Sequence, residues 1–251
     1  MEFQAKVSDI SKQRSDCAIV AVYEGGKLST AAQTLNGQMG KSLQALIKQG
    51  DIEGKAGQTL MLHGAGSSAE RVLLVGFGKA KKGQIVGAED FLKSSKKAAA
   101  ALTSAKVKNA SLYLGEISID GKDDAWKAQQ VAEIISTSAY QFEQFKSKKA
   151  PAIALKKIIL DAADSKQLKA AKQGLTRGAA VGRGTNFARD LGNMPANVCT
   201  PTYLAKEAKR MAGSKVRMST KIVEEKEMRA LGMDSLLSVS AGSDEPAKLI
   251  I

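Results

Sequence analysis

Few residues in this sequence could carry out catalysis or bind a metal. His63 is the only histidine, which excludes a His-Glu-x-x-His zinc helix and leaves one imidazole for any Ser-His-Asp triad. It ends the apolar run at residues 59–62, and we predict a strand-end histidine without a catalytic task. Cys17 and Cys199 have neither disulfide nor zinc spacing and are predicted to be reduced thiols. Any metal ligands in the chain would have to be carboxylates, lysines or carbonyl groups.

Two glycine-rich segments match ligand-binding loops only in part. Gly76-Phe77-Gly78 follows a predicted strand, as phosphate-binding loops do, but Lys81 occupies the place of a third glycine. The sequence G-x-x-x-x-G-K-S/T of another nucleotide-binding loop does not occur. We therefore predict turn residues at Gly76 and Gly78, and a flexible turn without chemistry at residues 64–68.

An acidic cluster, Glu224, Glu225 and Glu227, is the remaining candidate for metal binding. It opens a predicted helix, where the helix macrodipole favours negative charge. The sequence identifies no converging partner for these side chains. We therefore predict a structural role for the three carboxylates.

The chain is strongly basic, with a net charge of +13 and an isoelectric point near 9.6. The excess is concentrated between Lys146 and Arg189, where only Asp161 and Asp164 oppose eleven basic residues (146, 148, 149, 156, 157, 166, 169, 172, 177, 183 and 189). Such a stretch could neutralise nucleic-acid phosphates, which makes DNA binding one interpretation. A solvated helix face with lysines that favour solubility is the other, and the lack of an aromatic or arginine-rich pattern favours it.

The elements that must position these residues alternate between short apolar runs and amphipathic segments. We predict buried strands at residues 17–23, 59–62, 71–75, 111–114 and 157–160. We predict helices at residues 29–49, 88–105 and 124–145, the last with Asp123 or Asp124 as its N-cap. Strands that alternate with helices of this length indicate an α/β fold with a largely parallel or mixed sheet.

A further helix is predicted from about residue 164, with an N-cap at Asp164 or Ser165, to about residue 191. It contains Gly174, Gly178 and Gly182 on one face. Each interior glycine costs about 1 kcal/mol of helix stability relative to alanine, so the row indicates that another backbone packs very close to this face. We predict that this helix connects two domains and packs against the second.

The two predicted domains are residues 1–163 and residues 164–251. In the second, we predict a helix at residues 201–211, a strand at 215–223, a helix at 224–231 and a final strand at 248–251. We expect this α/β unit to be incomplete where the chain stops.

The segment that follows the long helix resembles a known family. Arg189-Asp190-Leu191-Gly192-Asn193-Met194-Pro195-Ala196-Asn197 and the following Thr200-Pro201-Thr202-Tyr203-Leu204-Ala205 are similar to the start of the catalytic domain of leucyl aminopeptidases, the cytosol aminopeptidase or M17 metallopeptidase family. Residues 227–233, 238–243 and 246–250 resemble later stretches in family order. The resemblance is specific over about residues 178–251. It is looser before them, where the family has an α/β domain similar in fold to macro domains.

The resemblance implies a homohexameric hydrolase that removes N-terminal residues, often leucine, from peptides with two zinc or manganese ions that bridge an activated water. The ligands in this family, a lysine and carboxylates, lie in K-G-x-x-F-D-S/T-G-G and N-T-D-A-E-G-R stretches, which do not occur here. We therefore assign no catalytic, cofactor-binding or metal residue to this chain, and expect it to bind no metal and to be inactive alone. Asn193, Pro195, Asn197 and Pro201 match family positions and are predicted to shape the entry to the catalytic domain.

Two other functions stay open. Some aminopeptidases of this family also bind DNA as accessory factors, and the stretch from Lys146 to Arg189 offers charge for it. A macro-like domain could bind ADP-ribose-type ligands, which the incomplete glycine-rich loop argues against. The chain has no apolar run of about 18 residues that could cross a membrane and its first residues lack a signal-peptide pattern. We therefore expect a cytoplasmic protein with peptides as substrates and no membrane partner.

Overall fold

The predicted strands and helices are arranged in two units in a computed structural model, which describes residues 1–63, 68–213 and 217–251. The first unit comprises Met1–Asn186 and the second comprises Phe187–Ile251. Residues 64–67 of the turn predicted at 64–68 lie outside the described residues, and so do residues 215 and 216 of the strand predicted at 215–223.

The first unit contains both strands and helices. Its strands are β1 (Glu2–Val7), β2 (Ser15–Tyr23), β3 (Lys27–Leu28), β4 (Thr59–His63), β5 (Ala69–Gly76), β6 (Ile85–Val86), β7 (Asn109–Leu112), β8 (Ser118–Ile119) and β9 (Lys157–Ala162). Its helices are α1 (Thr30–Gln38), α2 (Ser42–Gln49), α3 (Ala88–Ser104), α4 (Asp124–Ser138) and α5 (Ser165–Asn193), the last of which ends in the second unit.

A mostly parallel sheet forms the centre of the first unit. Its strands follow the order β1-β9-β7-β2-β5-β4, and β3 pairs with β2 beside this path. The neighbours from β1 to β5 are parallel, whereas β4 and β3 are antiparallel to their partners. Buried clusters lie on both faces of β2, one with α3, α4 and α5 and one with α1 and α2, which explains the continuous apolar run in its sequence. The predicted α/β fold is confirmed.

The segment predicted as one helix at residues 29–49 is divided into α1 and α2. Gly40 and Lys41 lie between them with φ angles of +59° and +66°. These values belong to the left-handed region, so a right-handed helix cannot continue through them. The prediction of a single helix was therefore wrong at this point.

Helix α4 begins as predicted and ends early. The carboxylate of its N-cap Asp123 accepts a hydrogen bond of 2.7 Å from the amide of Trp126. The helix ends at Ser138 rather than near residue 145. Phe142 and Phe145, predicted to continue its apolar stripe, lie beyond it with 5.9 Å between their ring centroids.

The glycine row of α5 packs against α4. A Cβ atom at Gly174 or Gly178 would lie 2.1 Å from the carbonyl oxygen of Ala125 or Gln129, respectively. The predicted close approach of another backbone is confirmed, but the partner belongs to the first unit and not to the second domain. Glycine spacing identifies the helix face that a neighbour approaches without identifying the neighbour. The first unit accordingly extends to Asn186, past the boundary predicted after residue 163.

The second unit follows the end of α5. It contains α6 (Pro201–Ala212), β10 (Ile222–Glu224), α7 (Glu225–Ala230), α8 (Asp234–Ser240) and β11 (Lys248–Ile250). β11 pairs antiparallel with β10, which confirms the strand predicted at the end of the sequence. Val223, Met228 and Ala247 form a small buried cluster in this unit.

Candidate functional site

The carboxyl edge of the parallel strands is where a sheet of this kind would bind a ligand. The chain passes from β2 to its neighbour β5 and later to β7 on the other side of β2, so the strand order reverses between β2 and β7. Ligands of open α/β sheets bind outside the carboxyl ends of the strands at such a point. The loop at residues 113–117 follows β7 and contacts the beginning of α1 and the end of β9.

Glu116 occupies the N-terminus of α1. Its carboxylate accepts hydrogen bonds of 2.7 Å and 3.0 Å from the amides of Thr30 and Ala31. The buried hydroxyl of Ser29 accepts a third, of 3.3 Å, from the amide of Ala32. The free amides of a helix N-terminus are a common binding place for phosphate and other anions. Here the protein's own carboxylate lies in that place.

Asp161 lies near the end of β9 and binds the same loop. Its carboxylate accepts a hydrogen bond of 2.6 Å from the amide of Gly115. Loss of hydration raises the pKa of Asp161 to about 6, and the nearby Lys127 ammonium partly opposes this rise. A Cβ atom at Gly115 would lie 2.7 Å from the carbonyl oxygen of Asp161, so the loop can approach β9 this closely only with glycine.

Lys127, on α4, holds the other side of the loop. Its side chain is 3% exposed and forms an ion pair of 2.9 Å with Asp124. Its ammonium also donates to the carbonyl oxygens of Gly115 and Ile117, at 2.8 Å and 2.7 Å. The amide of Gln167 donates to Gly115 and Asp124 as well, at 2.9 Å and 3.1 Å. We call Gly115, Asp124, Lys127, Asp161 and Gln167 the loop-binding network.

The loop-binding network is arranged to hold the protein together rather than to react. An ammonium group has three N–H donors, and the three of Lys127 have three oxygen acceptors. A cavity of about 400 Å³ beside Lys127 is lined by both lysines and aspartates, so its charge selects neither anions nor cations. Together with the carboxylate at the start of α1, these contacts argue against the interpretation that this edge binds ADP-ribose-type ligands.

The pKa of Asp161 leads to a testable pH dependence of stability. Since the pKa rises from 3.8 to about 6 on folding, the folded state retains a proton that the unfolded state releases between about pH 4 and pH 6. Stability from this group is therefore present below that window and falls as the pH rises through it. We expect a loss of about 1 to 2 kcal/mol after allowance for partial solvent screening.

The substitution Asp161→Asn removes this titration while an amide oxygen can still accept from Gly115. Urea unfolding of both proteins at a series of pH values measures the effect. The stability of the variant relative to the unsubstituted protein should increase as the pH rises from about 4 to about 6.5. Parallel stability curves across this range would show that the Asp161 carboxyl titrates normally.

The acidic cluster of the second unit is bound by protein donors. Glu224 pairs with Lys248, and Glu227 pairs with Lys221. Glu225 accepts a hydrogen bond of 2.8 Å from the amide of Ala247. Across residues 1–63, 68–213 and 217–251, no group of three or more His, Cys, Asp or Glu side chains converges as metal ligands would.

The other candidate residues of the sequence lie apart from one another. His63 is exposed and ends β4, as predicted. Cys17 and Cys199 are both free thiols, and burial raises the pKa of Cys17 to about 12, which disfavours the reactive thiolate. A Cβ atom at Gly76 would lie 2.2 Å from the carbonyl oxygen of Lys55, so this glycine permits a close backbone approach within a turn.

The residues predicted to shape the entry to the second unit form a tight turn. The amides of Val198 and Cys199 both donate to the carbonyl oxygen of Pro195, at 2.9 Å and 3.0 Å. Thr200 then caps α6 by accepting a hydrogen bond of 3.2 Å from the amide of Tyr203. Pro201 follows at the first helical position, where its missing N–H costs nothing.

Comparison with protein families and curated proteins extends these observations. The model described as "Cytosol aminopeptidase family, N-terminal domain" matches residues 19–149, and the one described as "Cytosol aminopeptidase family, catalytic domain" matches residues 186–251. The chain is 38% identical over 253 residues to a probable cytosol aminopeptidase of Dechloromonas aromatica, and 37% identical to one of Aeromonas hydrophila. Each alignment covers 100% of this chain and 50% of the relative. The chain thus spans about half the length of the curated relatives it matches.

Solved structures show the same fold. A mutant of tomato leucine aminopeptidase superposes with a TM-score of 0.81 at 22% identity, over 100% of this chain and 50% of that one. The bottromycin maturation enzyme BotP superposes with a TM-score of 0.71 at 21% identity, over 94% of this chain and 45% of that one. A second structure of BotP, in complex with Mn, gives a TM-score of 0.69. In the described part of the chain, no helix is long and apolar enough to span a membrane.

Proposed function

This chain belongs to the cytosol aminopeptidase family, and on that premise we propose that it forms the non-catalytic first half of an aminopeptidase that hydrolyses N-terminal residues, often leucine, from peptides. The observation that carries the proposal is the order of the two matches, the N-terminal domain before the catalytic domain, in a chain that spans half the length of its relatives. The proposed substrate is therefore a peptide with a free N-terminus.

The residues described here do not fit a two-metal site. Such a site needs several carboxylate or other ligands that converge on each ion, whereas Glu224, Glu225 and Glu227 are bound by lysines or a backbone amide. We infer that the complete enzyme takes two manganese or zinc ions and that their ligands belong to the other half of its length. The relative BotP in complex with Mn supports the choice of a divalent metal.

The task of these residues in the proposed enzyme is to build and support. The first unit presents a sheet whose carboxyl edge is tied by the loop-binding network, and α5 carries the chain from this unit into the second. The turn at Pro195 and the capped start of α6 then begin the catalytic domain. We further propose a cytoplasmic homohexamer, as the family resemblance implies.

A chimera tests this function. Residues 1–251 joined to the second half of the Dechloromonas aromatica relative should hydrolyse leucine p-nitroanilide with added manganese or zinc. We expect rates at least ~100-fold above those with a chelator, because bound metal contributes several kcal/mol of transition-state stabilisation. The second half alone is the control. A chimera that unfolds cooperatively on heating and shows no metal-dependent hydrolysis would contradict the proposal.

DNA binding is the second candidate. Lys166, Lys169, Lys172, Arg177 and Arg183 are exposed along α5, and exposed cations on one helix can neutralise phosphates. Titration of duplex DNA at two salt concentrations is its test. A log–log slope near zero would remove this candidate.

A further inference from the structure

The first strand of the sheet has one side without a partner strand. Among the described residues, β1 pairs only with β9, so it forms the edge of the sheet. The amide of Glu2 donates to the carbonyl oxygen of Lys156 at 2.7 Å. Because backbone groups alternate in direction along a strand, those of Phe3, Ala5 and Val7 are directed to the free side. Such an edge is a template for one more strand.

A groove runs between this free edge and α5. It has a volume of about 700 Å³, and its helical wall is formed by Lys172, Leu175, Thr176, Ala179 and Arg183. These residues recur at the three- and four-residue spacing of one helix face. At a rise of 1.5 Å per residue, the wall is about 16 Å long, which matches about five residues of an extended peptide.

The groove continues into a second cavity of about 410 Å³. The two cavities share Met1, Phe3, Ala179 and Arg183. The shared surface is mainly apolar, so it suits the side chains on one face of an added strand. A stretch of phosphates and sugars would leave this apolar surface without a matching partner.

The charge along the groove has one sign. Every charged residue that lines the two cavities is basic: Lys6, Lys172 and Arg183 in the first, with Lys156 added in the second. Lys6 lies on the strand side, whereas Lys172 and Arg183 lie near opposite ends of the helical wall. An occupant with negative charges spaced along its length would complement this arrangement.

We propose that this groove binds an extended acidic segment of a partner protein, which pairs with β1 as an additional strand. Main-chain hydrogen bonds to Phe3, Ala5 and Val7 supply the affinity, as in other cases of strand addition. Carboxylates of the segment pair with Lys172 and Arg183. The proposal concerns the first unit and does not depend on the aminopeptidase activity.

The test is fluorescence anisotropy with a labelled peptide in which glutamate alternates with valine. The peptide should bind the 251-residue protein, and a peptide with lysine in place of glutamate should not. Methylation of alternate backbone nitrogens should abolish binding without a change in charge, because it removes the donors that a new strand needs. Equal binding of the methylated peptide would overturn strand addition.

Charge-reversal variants locate the site. Lys172→Glu and Arg183→Glu should each weaken binding roughly tenfold, since each replaces an attraction by a repulsion. Lys169→Glu is the matched control, because it makes the same change on the exposed surface of α5 outside the groove. Equal losses in all three variants, or a groove that binds duplex DNA and not the acidic peptide, would overturn the proposal.

Discussion

The substitution Gly178→Ala is expected to lower the free energy of unfolding of the first unit by about 2 to 3 kcal/mol. The added methyl group would lie 2.1 Å from the carbonyl oxygen of Gln129 and 2.9 Å from the Cβ of Ala132. Both are parts of α4 close to its backbone and cannot rotate away, so α5 must move outward as a whole. Overpacking of this kind costs about 1–3 kcal/mol or more, against a gain of about 1 kcal/mol in helix propensity.

Gly184→Ala is the matched control on the same helix. No atom lies within 4 Å of the position that its Cβ would take, so only the gain in helix propensity applies and stability should rise by up to about 1 kcal/mol. Trp126 is the only tryptophan and lies on α4, so its fluorescence in urea reports the unfolding of this unit directly. Equal shifts of the two transitions would show that α4 and α5 do not pack as described.

The substitution Lys127→Met should destabilise the first unit by about 3 kcal/mol. It keeps most of the apolar length of the side chain but removes the buried ammonium, leaving the carbonyl oxygens of Gly115 and Ile117 without this donor. Asp124 also loses its ion-pair partner. Removal of one member of a buried ion pair typically costs 3–5 kcal/mol, because the other polar groups stay in place.

Lys166→Met is the control for Lys127→Met. Lys166 lines the same cavity but is exposed, and surface substitutions of this kind stay within about 0.5 kcal/mol. The double variant Lys127→Met and Asp161→Asn should be less destabilised than the sum of the single variants, since the two side chains interact. Additive losses, or a Lys127→Met protein as stable as its control, would contradict a loop held by this network.

The sequence predicts the elements of this fold better than their limits and partners. The run that forms β2 is recognisable because a strand buried on both faces is apolar throughout. In contrast, β1 alternates polar and apolar residues over a short stretch at the start of the chain, and it lacks the continuous apolar signal of its neighbours. The division between α1 and α2 depends on left-handed backbone at Gly40 and Lys41, which a lysine rarely adopts and a sequence pattern does not indicate.

The loop-binding network could not have been found from the sequence. Gly115 and Asp161 are brought together by two parallel strands, and Gly115 and Gln167 by a strand and a helix. These residues have the types of any solvated loop or helix end, and their spacing in sequence carries no motif. The segment around Pro195 is the opposite case, because its unusual composition marks the start of the second unit without any chemistry of its own.

The most direct test of the central claim is an activity assay of the 251 residues alone. The purified chain is incubated with leucine p-nitroanilide and with manganese or zinc, and hydrolysis is compared with that of the metal in buffer. We predict equal rates, because the described residues bring no metal ligands together. Metal-dependent turnover above the buffer rate that elutes with the protein on gel filtration would contradict the claim that the chemistry lies outside these residues.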